Sequence, residues 1–305
     1  MSEINLVSEK LQSDVEIYIT KSVADATDFV ANYCRNFGNA RFIACGGDGT
    51  LNEVLNGAIG FDGVEIGVLP TGTGNDFCRN FPKEYDFSDI YAQINGSTVK
   101  CDSIRYTTEI DGVKKTGYCV NMFNIGFDAN VADMTSDVKK KPFISGSLAY
   151  LISIFVNLIK KKGAELQIEI DGEMVHNGRL LLTSIANGSY CGGGIKSNPT
   201  ANVTDGLINI NIIENVSRMR FLTLLPYYMR GTFLSVKNIE RYIKSRECKR
   251  VTVKPVSEKI RLCVDGEMMD AETIRFEIAP KSFNFVIPSV KKEECGLKEN
   301  VTVKL

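Results

Sequence analysis

Tryptophan is absent from this chain of 305 residues, histidine occurs once, at His176, and neither sign of charge dominates. With 36 Lys and Arg against 37 Asp and Glu the net charge is −1, so no overall basic field invites nucleic acid. The nine cysteines (34, 45, 78, 101, 119, 191, 248, 263 and 295) are odd in number and form no Cys-x-x-Cys pair. With a single histidine to assist them, that argues against a zinc site or a disulfide framework. Cys45 and Cys263 lie within apolar runs, where a small buried thiol is the default, and a reducing cytosol suits the set. Met1-Ser2-Glu3-Ile4 lacks the basic and apolar regions of a secretory leader. The longest apolar run, residues 147–159, has 13 residues, short of the roughly 20 that a spanning helix needs. Set between Lys139-Lys140-Lys141 and Lys160-Lys161-Lys162, it reads as a core helix with solvated ends. The alternative is a surface that approaches anionic lipid.

What the chain does have is bulk and glycine-rich turns. Its length suits one large domain or two of ordinary size, and 44% hydrophobic with 24% charged residues is an ordinary globular composition. The most informative stretch is Cys45-Gly46-Gly47-Asp48-Gly49-Thr50, which follows the apolar run Phe42-Ile43-Ala44. Glycines at the end of a strand let backbone N–H groups approach an anion closely. Leu51, Val54, Leu55 and Ala58 then recur at helical spacing, so a helix N-terminus faces the same spot. Asp48 is placed to hold a metal ion beside a phosphate; the competing reading is a tight strand-to-helix turn. A second apolar run, Val64-Glu65-Ile66-Gly67-Val68-Leu69, ends in Pro70-Thr71-Gly72-Thr73-Gly74-Asn75-Asp76-Phe77, again with a helix expected to follow. Ligands of open parallel sheets bind outside the carboxyl ends of the strands, so two such turns argue for a nucleoside triphosphate site with Mg²⁺.

These two motifs, with Gly192-Gly193-Gly194, Asp205-Gly206-Leu207 and Asp265-Gly266-Glu267 in the same order, resemble the diacylglycerol kinase catalytic family. The soluble bacterial lipid kinases of that family are closest in layout. The resemblance runs from about residue 14 to 290; Gly46 to Thr50 alone is shared with NAD kinases, whereas the ordered set of five is more specific. It implies a NAD kinase-like, parallel-sheet α/β ATP-binding domain over residues 1–105. A mostly antiparallel, β-rich lipid kinase domain follows over 106–288, and then a tail, 289–305. One departure stands out. The family opens with a strand ending in an Asn-Pro and Ser-Gly turn, and residues 1–13 read as the end of the helix that normally follows it.

The resemblance also assigns roles. ATP would lie between the two turns, lined by Gly46, Gly47, Asp48, Gly49, Thr50, Thr73 and Asn75. Asn52 would fix the loop, or else is a surface residue of the helix. Asp48, Asp76 and Asp102 would hold Mg²⁺, an ion that takes oxygen ligands and keeps several waters; the competing reading of Asp76 is a helix N-cap, and that of Asp102 a strand end. Asn202, Asp205 and Leu207 would hold a second, structural Mg²⁺, with an Asx-type turn as the alternative. A lipid hydroxyl needs a carboxylate to accept its proton as the bond to phosphorus forms. The resemblance gives this task to Glu267, with Asp265 assisting. The chain carries the same tripeptide at Asp171-Gly172-Glu173, and only the family alignment prefers the later copy.

Strands are expected at 15–19, 41–45, 64–69 and 99–106, and helices at 24–34, to about 57, and at 86–95, which makes a parallel sheet with helices on its faces. Beyond residue 106 strands dominate. Asp111-Gly112, Asp171-Gly172, Asp205-Gly206 and Asp265-Gly266 read as hairpin turns, with further strands at 166–170, 179–186 and 207–213. Residues 218–234 read as helix, kinked or broken at Pro226. The triglycine reads as a flexible or tight loop near the cleft between domains. His176 reads as a surface residue of a hairpin, outside any Ser/His/Asp arrangement. The implied protein is a cytoplasmic lipid kinase, peripheral at the inner membrane surface, acting on a lipid at the bilayer and capable of forming a homodimer through an open sheet edge. Diacylglycerol is the leading acceptor. A NAD kinase-like enzyme and a non-catalytic lipid- or nucleotide-binding regulator are the rival readings.

Overall fold

The computed structural model describes residues 15–110, 112–126, 163–256 and 259–290. The apolar run at 147–159, both lysine triplets, residues 1–13, Asp111 and Cys295 lie outside the described residues.

The N-terminal part alternates helix and strand. Helix α1 (Asp25–Phe37) buries Ala26, Val30 and Cys34, one residue per turn, and Asp25 and Asp28 in its first turn oppose the partial positive charge there. Strand β1 (Arg41–Gly46) leads into α2 (Asp48–Ala58), and β2 (Glu65–Pro70) pairs with β1 in parallel from Arg41↔Glu65 to Gly46↔Pro70. Parallel pairing brings the carboxyl ends of both strands, and so both glycine-rich turns, to one edge. Helix α3 (Ile90–Ile94) is tied to this sheet by Arg41, whose Nη1 donates to the carbonyls of Gln93, Ile94 and Gly96.

The rest is mainly antiparallel. In chain order it contains β3 (Ser97–Ile110), β4 (Val113–Cys119), β5 (Met122–Gly126), β6 (Ala164–Ile170), β7 (Glu173–Ala186), β8 (Ile208–Glu214) and helix α4 (Arg218–Arg230). Then come β9 (Ile243–Cys248), β10 (Arg250–Pro255), β11 (Ile260–Val264), β12 (Glu267–Ala271) and β13 (Ile274–Ile287). Strand β13 joins the two parts. Its first half pairs antiparallel with β10, and its end lies parallel to β2 at Asn284↔Glu65 and Phe285↔Ile66. The long β3 follows β13 antiparallel throughout, with an irregularity between Ala279 and Phe283 where the strand bends from one part to the other. Among the described residues a continuous, curled sheet results. One core packs α1 and α2 on the parallel strands around Leu51, Leu55, Ile66, Phe77 and Phe285. A second fills the β-rich part around Phe123, Ile168, Ile210 and Phe276. The third lies under α4 around Phe221, Leu224 and Phe233.

Several expectations need correction. Residues 15–20 form no regular structure and pair with no strand among the described residues, and Val15, Ile17 and Ile19 are exposed. A strand needs a ladder partner, and alternation alone does not supply one. The turn at 70–76 leads only into a four-residue 3₁₀ turn, Phe77–Asn80, because Phe81 precedes Pro82 and is extended (φ −107°, ψ 157°). The helix expected over 86–95 shrinks to α3, since Asp89 caps it by accepting from Tyr91 and Ala92 N–H. Pro226 sits inside α4 without breaking it; the helix stops at left-handed Gly231 (φ 69°) rather than at Leu234. Asp205-Gly206 is not a hairpin, because β8 pairs with β7 and β9 across long connections. His176 is buried, with Nδ1 3.6 Å from Glu214 Oε1 and Nε2 3.2 Å from Gly178 O.

Candidate active site

The two glycine-rich turns interlock through backbone. Thr71 and Gly72 N–H both donate to Gly46 O (3.0 and 3.2 Å). A Cβ on Gly72 would overlap the Cα of Gly47, and one on Gly47 would press on the Cα of Gly72 at 3.3 Å, so the second turn cannot carry a side chain at the crossing and the first has little room for one. Asn75 holds the second turn in shape from a left-handed conformation (φ 52°). Its Oδ1 accepts from Gly72 N at 3.1 Å, and its Nδ2 donates to the carbonyls of Gly72 (2.8 Å) and Pro70 (3.3 Å). Helix α2 opens at the same place, with Asp48 in its first turn accepting from Asp76 N (2.8 Å) and Phe77 N (3.2 Å). Gly72→Ala should therefore cost about 1–3 kcal/mol through overpacking. A lower urea midpoint with weakened nucleotide binding is the expected result, and unchanged values for both would refute the crossing as described.

The third partner of this junction comes from far along the chain. Gly192, Gly193 and Gly194 all have positive φ (60°, 84° and 113°), closed at the base by reciprocal hydrogen bonds between Cys191 and Ile195 (both 2.9 Å). Successive N–H groups in such a turn form an anion-binding concavity. The anion is Asp76, whose carboxylate accepts from Gly193 N (2.9 Å) and Gly194 N (2.7 Å), with Arg79 Nε at 3.5 Å. The triglycine, read from the sequence only as a flexible or tight loop near the cleft, thus clamps a carboxylate of the other half of the molecule. Burial, and then the neighbouring charge of Asp48, pushes Asp76 up to about 6 against the opposing pull of the glycine N–H groups and Arg79. Burial also raises Asp48.

The β11–β12 hairpin completes the arrangement. Asp265 (φ 45°) and Gly266 (φ 95°) make its turn, the left-handed pair that matches strand twist. The Asp265 carboxylate is buried and accepts from Val120 N (2.8 Å), Met122 N (2.9 Å), Asn121 N (3.1 Å) and Cys119 Sγ (3.2 Å). It thereby holds the β4–β5 connection to the hairpin. Glu267, exposed on the far side of the turn, reaches the first turn of α2: its Oε1 lies 3.1 Å from where a Cβ on Gly49 would stand. Asp48, Asp76, Asp265 and Glu267 so gather around the start of α2. The rival tripeptide folds alike (φ 47° and 91°), and Asp171 also accepts backbone N–H groups, from Lys249 and Arg250. But Asp171 is exposed, and Glu173 faces Arg246 at 2.9 Å.

Asp102 goes elsewhere. It is fully buried on β3, with Oδ1 accepting from Lys281 N and Oδ2 from Gly206 N, both at 2.7 Å. Its own N–H donates to Val203 O at 2.7 Å. This groups it with the segment of Asn202, Asp205 and Leu207 rather than with Asp48 and Asp76. In that segment Asn202 Oδ1 accepts from Thr204 N (3.1 Å) and Asp205 Oδ1 from Leu207 N (2.9 Å), both Asx turns. Burial, and to a smaller extent the charge of Asp102, raises Asp205. Asn52 lies on α2, where its carbonyl accepts from Asn56 Nδ2; Asn56 also bonds Tyr118 and so ties α2 to β4.

Comparison with known proteins decides the family. Residues 1–106 match the diacylglycerol kinase catalytic domain, and residues 121–287 match the YegS C-terminal NAD kinase beta sandwich-like domain, more than half of the chain. The chain belongs to the diacylglycerol kinase family. The diacylglycerol kinase of Bacillus subtilis (strain 168) is 29% identical over 256 residues, covering 83% of this chain and 79% of that protein. Lipid kinase YegS of Escherichia coli (strain K12) is 28% identical over 280 residues, 90% and 86% of the two chains. A crystal structure of a diacylglycerol kinase from Bacillus anthracis (strain Sterne) superposes with a TM-score of 0.63 at 18% identity, over 90% of this chain and 85% of that one. That likeness is one of fold.

Membership in this lipid kinase family entails a phosphoryl donor, and the residues around α2 fit a triphosphate with its cation. Backbone N–H groups at a helix N-terminus suit phosphate oxygens. Two mutually repelling carboxylates, buried Asp76 and half-buried Asp48, are a local excess of negative charge that a hard divalent cation would relieve. Among the described residues no three Asp, Glu, His or Cys side chains already converge on one point as metal ligands. No helix of the described residues is long and apolar enough to cross a membrane.

Proposed function

We propose that this protein transfers the γ-phosphate of ATP to the free hydroxyl of diacylglycerol, forming phosphatidic acid, at the inner face of the membrane. The observation that carries the reading is the meeting of Glu267 with the start of α2, beside Asp48 and Asp76. A carboxylate base on one hairpin thus faces an anion-binding turn from the other part of the chain. Phosphoryl transfer asks mainly for positioning and charge neutralisation. The turns at 46–50 and 70–76 supply backbone donors for the phosphates, with Thr50 and Thr73 on their rims. Asp48 and Asp76 would hold Mg²⁺, which supplies charge neutralisation at the phosphates. Glu267 accepts the proton of the lipid hydroxyl as that oxygen bonds to phosphorus, and the leaving ADP takes up the displaced charge. Asp265 acts as a positioning residue: by accepting four donors from residues 119–122 it fixes the hairpin from which Glu267 projects.

The test is transfer of label from γ-labelled Mg-ATP into mixed micelles that carry diacylglycerol, phosphatidylglycerol, ceramide or sphingosine, with NAD as a soluble acceptor. Labelled phosphatidic acid is the expected product. Label on another lipid would keep the kinase and replace the substrate; label on NAD, or on no acceptor with folded protein, would overturn the reading.

A further inference from the structure

Helix α4 is apolar on both sides. Phe221, Leu224 and Tyr228, one face of the helix, are buried in the third core. On the opposite face Met219, Leu222 and Tyr227 stay 72%, 45% and 47% exposed, and Leu234 just beyond the helix is 41% exposed. A surface helix normally turns a polar face to water, so this outer face calls for a partner. Its charge says which kind. From Asn215 to Ile239 the chain holds Arg218, Arg220, Arg230 and Lys237 and no Asp or Glu. Of the acids that bound the stretch, Glu214 is paired with Lys244 at 2.8 Å and Glu240 follows the last apolar residue. Arg220 packs over Tyr242 (4.5 Å to the ring centroid), whereas Arg218, Arg230 and Lys237 are exposed, on or just beyond the helix that carries the outward apolar side chains. Exposed large apolar residues in a stretch whose only charged residues are cations match an anionic lipid surface, where apolar burial and electrostatic attraction add.

The position is right as well. Met229 O, near the end of α4, accepts from Lys196 N at 3.1 Å. Lys196 closely follows the triglycine that binds the Asp76 carboxylate. The helix and the candidate active site therefore share one connecting loop. We propose that the outward face of α4, extended by Leu234 and Lys237, is the surface by which this protein sits on an anionic bilayer. The inference rests on the lipid kinase reading, which requires the acceptor hydroxyl to be met at a membrane.

Sedimentation with vesicles of phosphatidylcholine, alone or mixed with phosphatidylglycerol, tests this without ATP, so a failure of the kinase assay leaves the result interpretable. The unaltered protein should bind the mixed vesicles, release them as salt rises, and bind pure phosphatidylcholine weakly. Combined Met219→Ser, Leu222→Ser and Tyr227→Ser should lower the partition coefficient at least about tenfold. Combined Arg230→Glu and Lys237→Glu should lower it about tenfold on anionic vesicles only. Melting curves matching the unaltered protein would show that both variants fold. Vesicle binding undiminished in the serine variant, or absent in the unaltered protein at low salt, would overturn the proposal. So would a dimer that the serine substitutions turn into monomer without loss of vesicle binding, which would make this face a contact between two copies.

Discussion

Glu267→Gln should abolish measurable lipid phosphorylation while leaving the protein folded. A positioned general base contributes about 10²–10⁴ in rate, and glutamine keeps the shape of the side chain while losing its ability to accept a proton. The loss should fall on kcat, with KM for ATP nearly unchanged, because the proton is transferred only in the transition state. Glu267 is exposed on the hairpin and pairs through its backbone with Val264, so the melting temperature should move by no more than about 2 °C. The built-in control is Glu173→Gln. It alters a tripeptide with the same sequence and the same turn conformation, yet Glu173 faces Arg246 on an exposed hairpin. Full activity in Glu173→Gln beside none in Glu267→Gln would confirm the assignment; the reverse pattern would move the base to the other hairpin.

Those twin tripeptides also show where sequence reading stops. Asp-Gly states the turn in both cases, and both turns form, because left-handed conformation is a local property of those residues. What separates them is burial: Asp265 sits beneath the 119–122 connection and Asp171 in solvent, a difference made by strands that are distant in sequence. The same division runs through the whole molecule. Parallel β1 and β2, helices α1 and α2, and both glycine-rich turns were legible, since apolar periodicity and turn chemistry are encoded within about ten residues. The unpaired segment 15–20 was not, because its alternation reads as a strand whether or not a neighbour is there to receive it. Nor was the burial of His176 under Glu214, which depends on the pairing of β7 with β8. Within the site, Asp48 and Asp76 come together as their motifs imply. Asp102, placed beside them by resemblance alone, lies instead against Gly206 and Lys281. The hold of Gly193 and Gly194 on Asp76 spans 117 and 118 residues of sequence; three glycines in a row announce a tight or flexible loop, but not that it binds a carboxylate.

Asp265→Ala should be the most damaging single substitution for stability. The carboxylate it removes takes hydrogen bonds from three backbone N–H groups and a thiol, all buried. An unsatisfied buried donor costs about 1–3 kcal/mol; with partial relaxation a total near 3–5 kcal/mol is expected. The size should depend on pH in a definite direction. Burial, opposed by the hydrogen bonds from Met122, Cys119 and Val120, pushes Asp265 up from an ordinary 3.8 to about 6. Its folded pKa therefore lies above its unfolded one. Below about pH 4 both states are protonated and the side chain's full contribution is present. Between about 4 and 6 the unfolded chain ionises first, so that contribution declines as pH rises through the folded value, by at most about 3 kcal/mol. Asp265→Ala removes this step, so the stability gap between the two proteins should narrow as pH goes from 4 to 7. Urea unfolding at a series of pH values measures it. A gap that widens with pH would mean that the ionised carboxylate, rather than the protonated one, is the form the fold favours, and that the four donors outweigh burial.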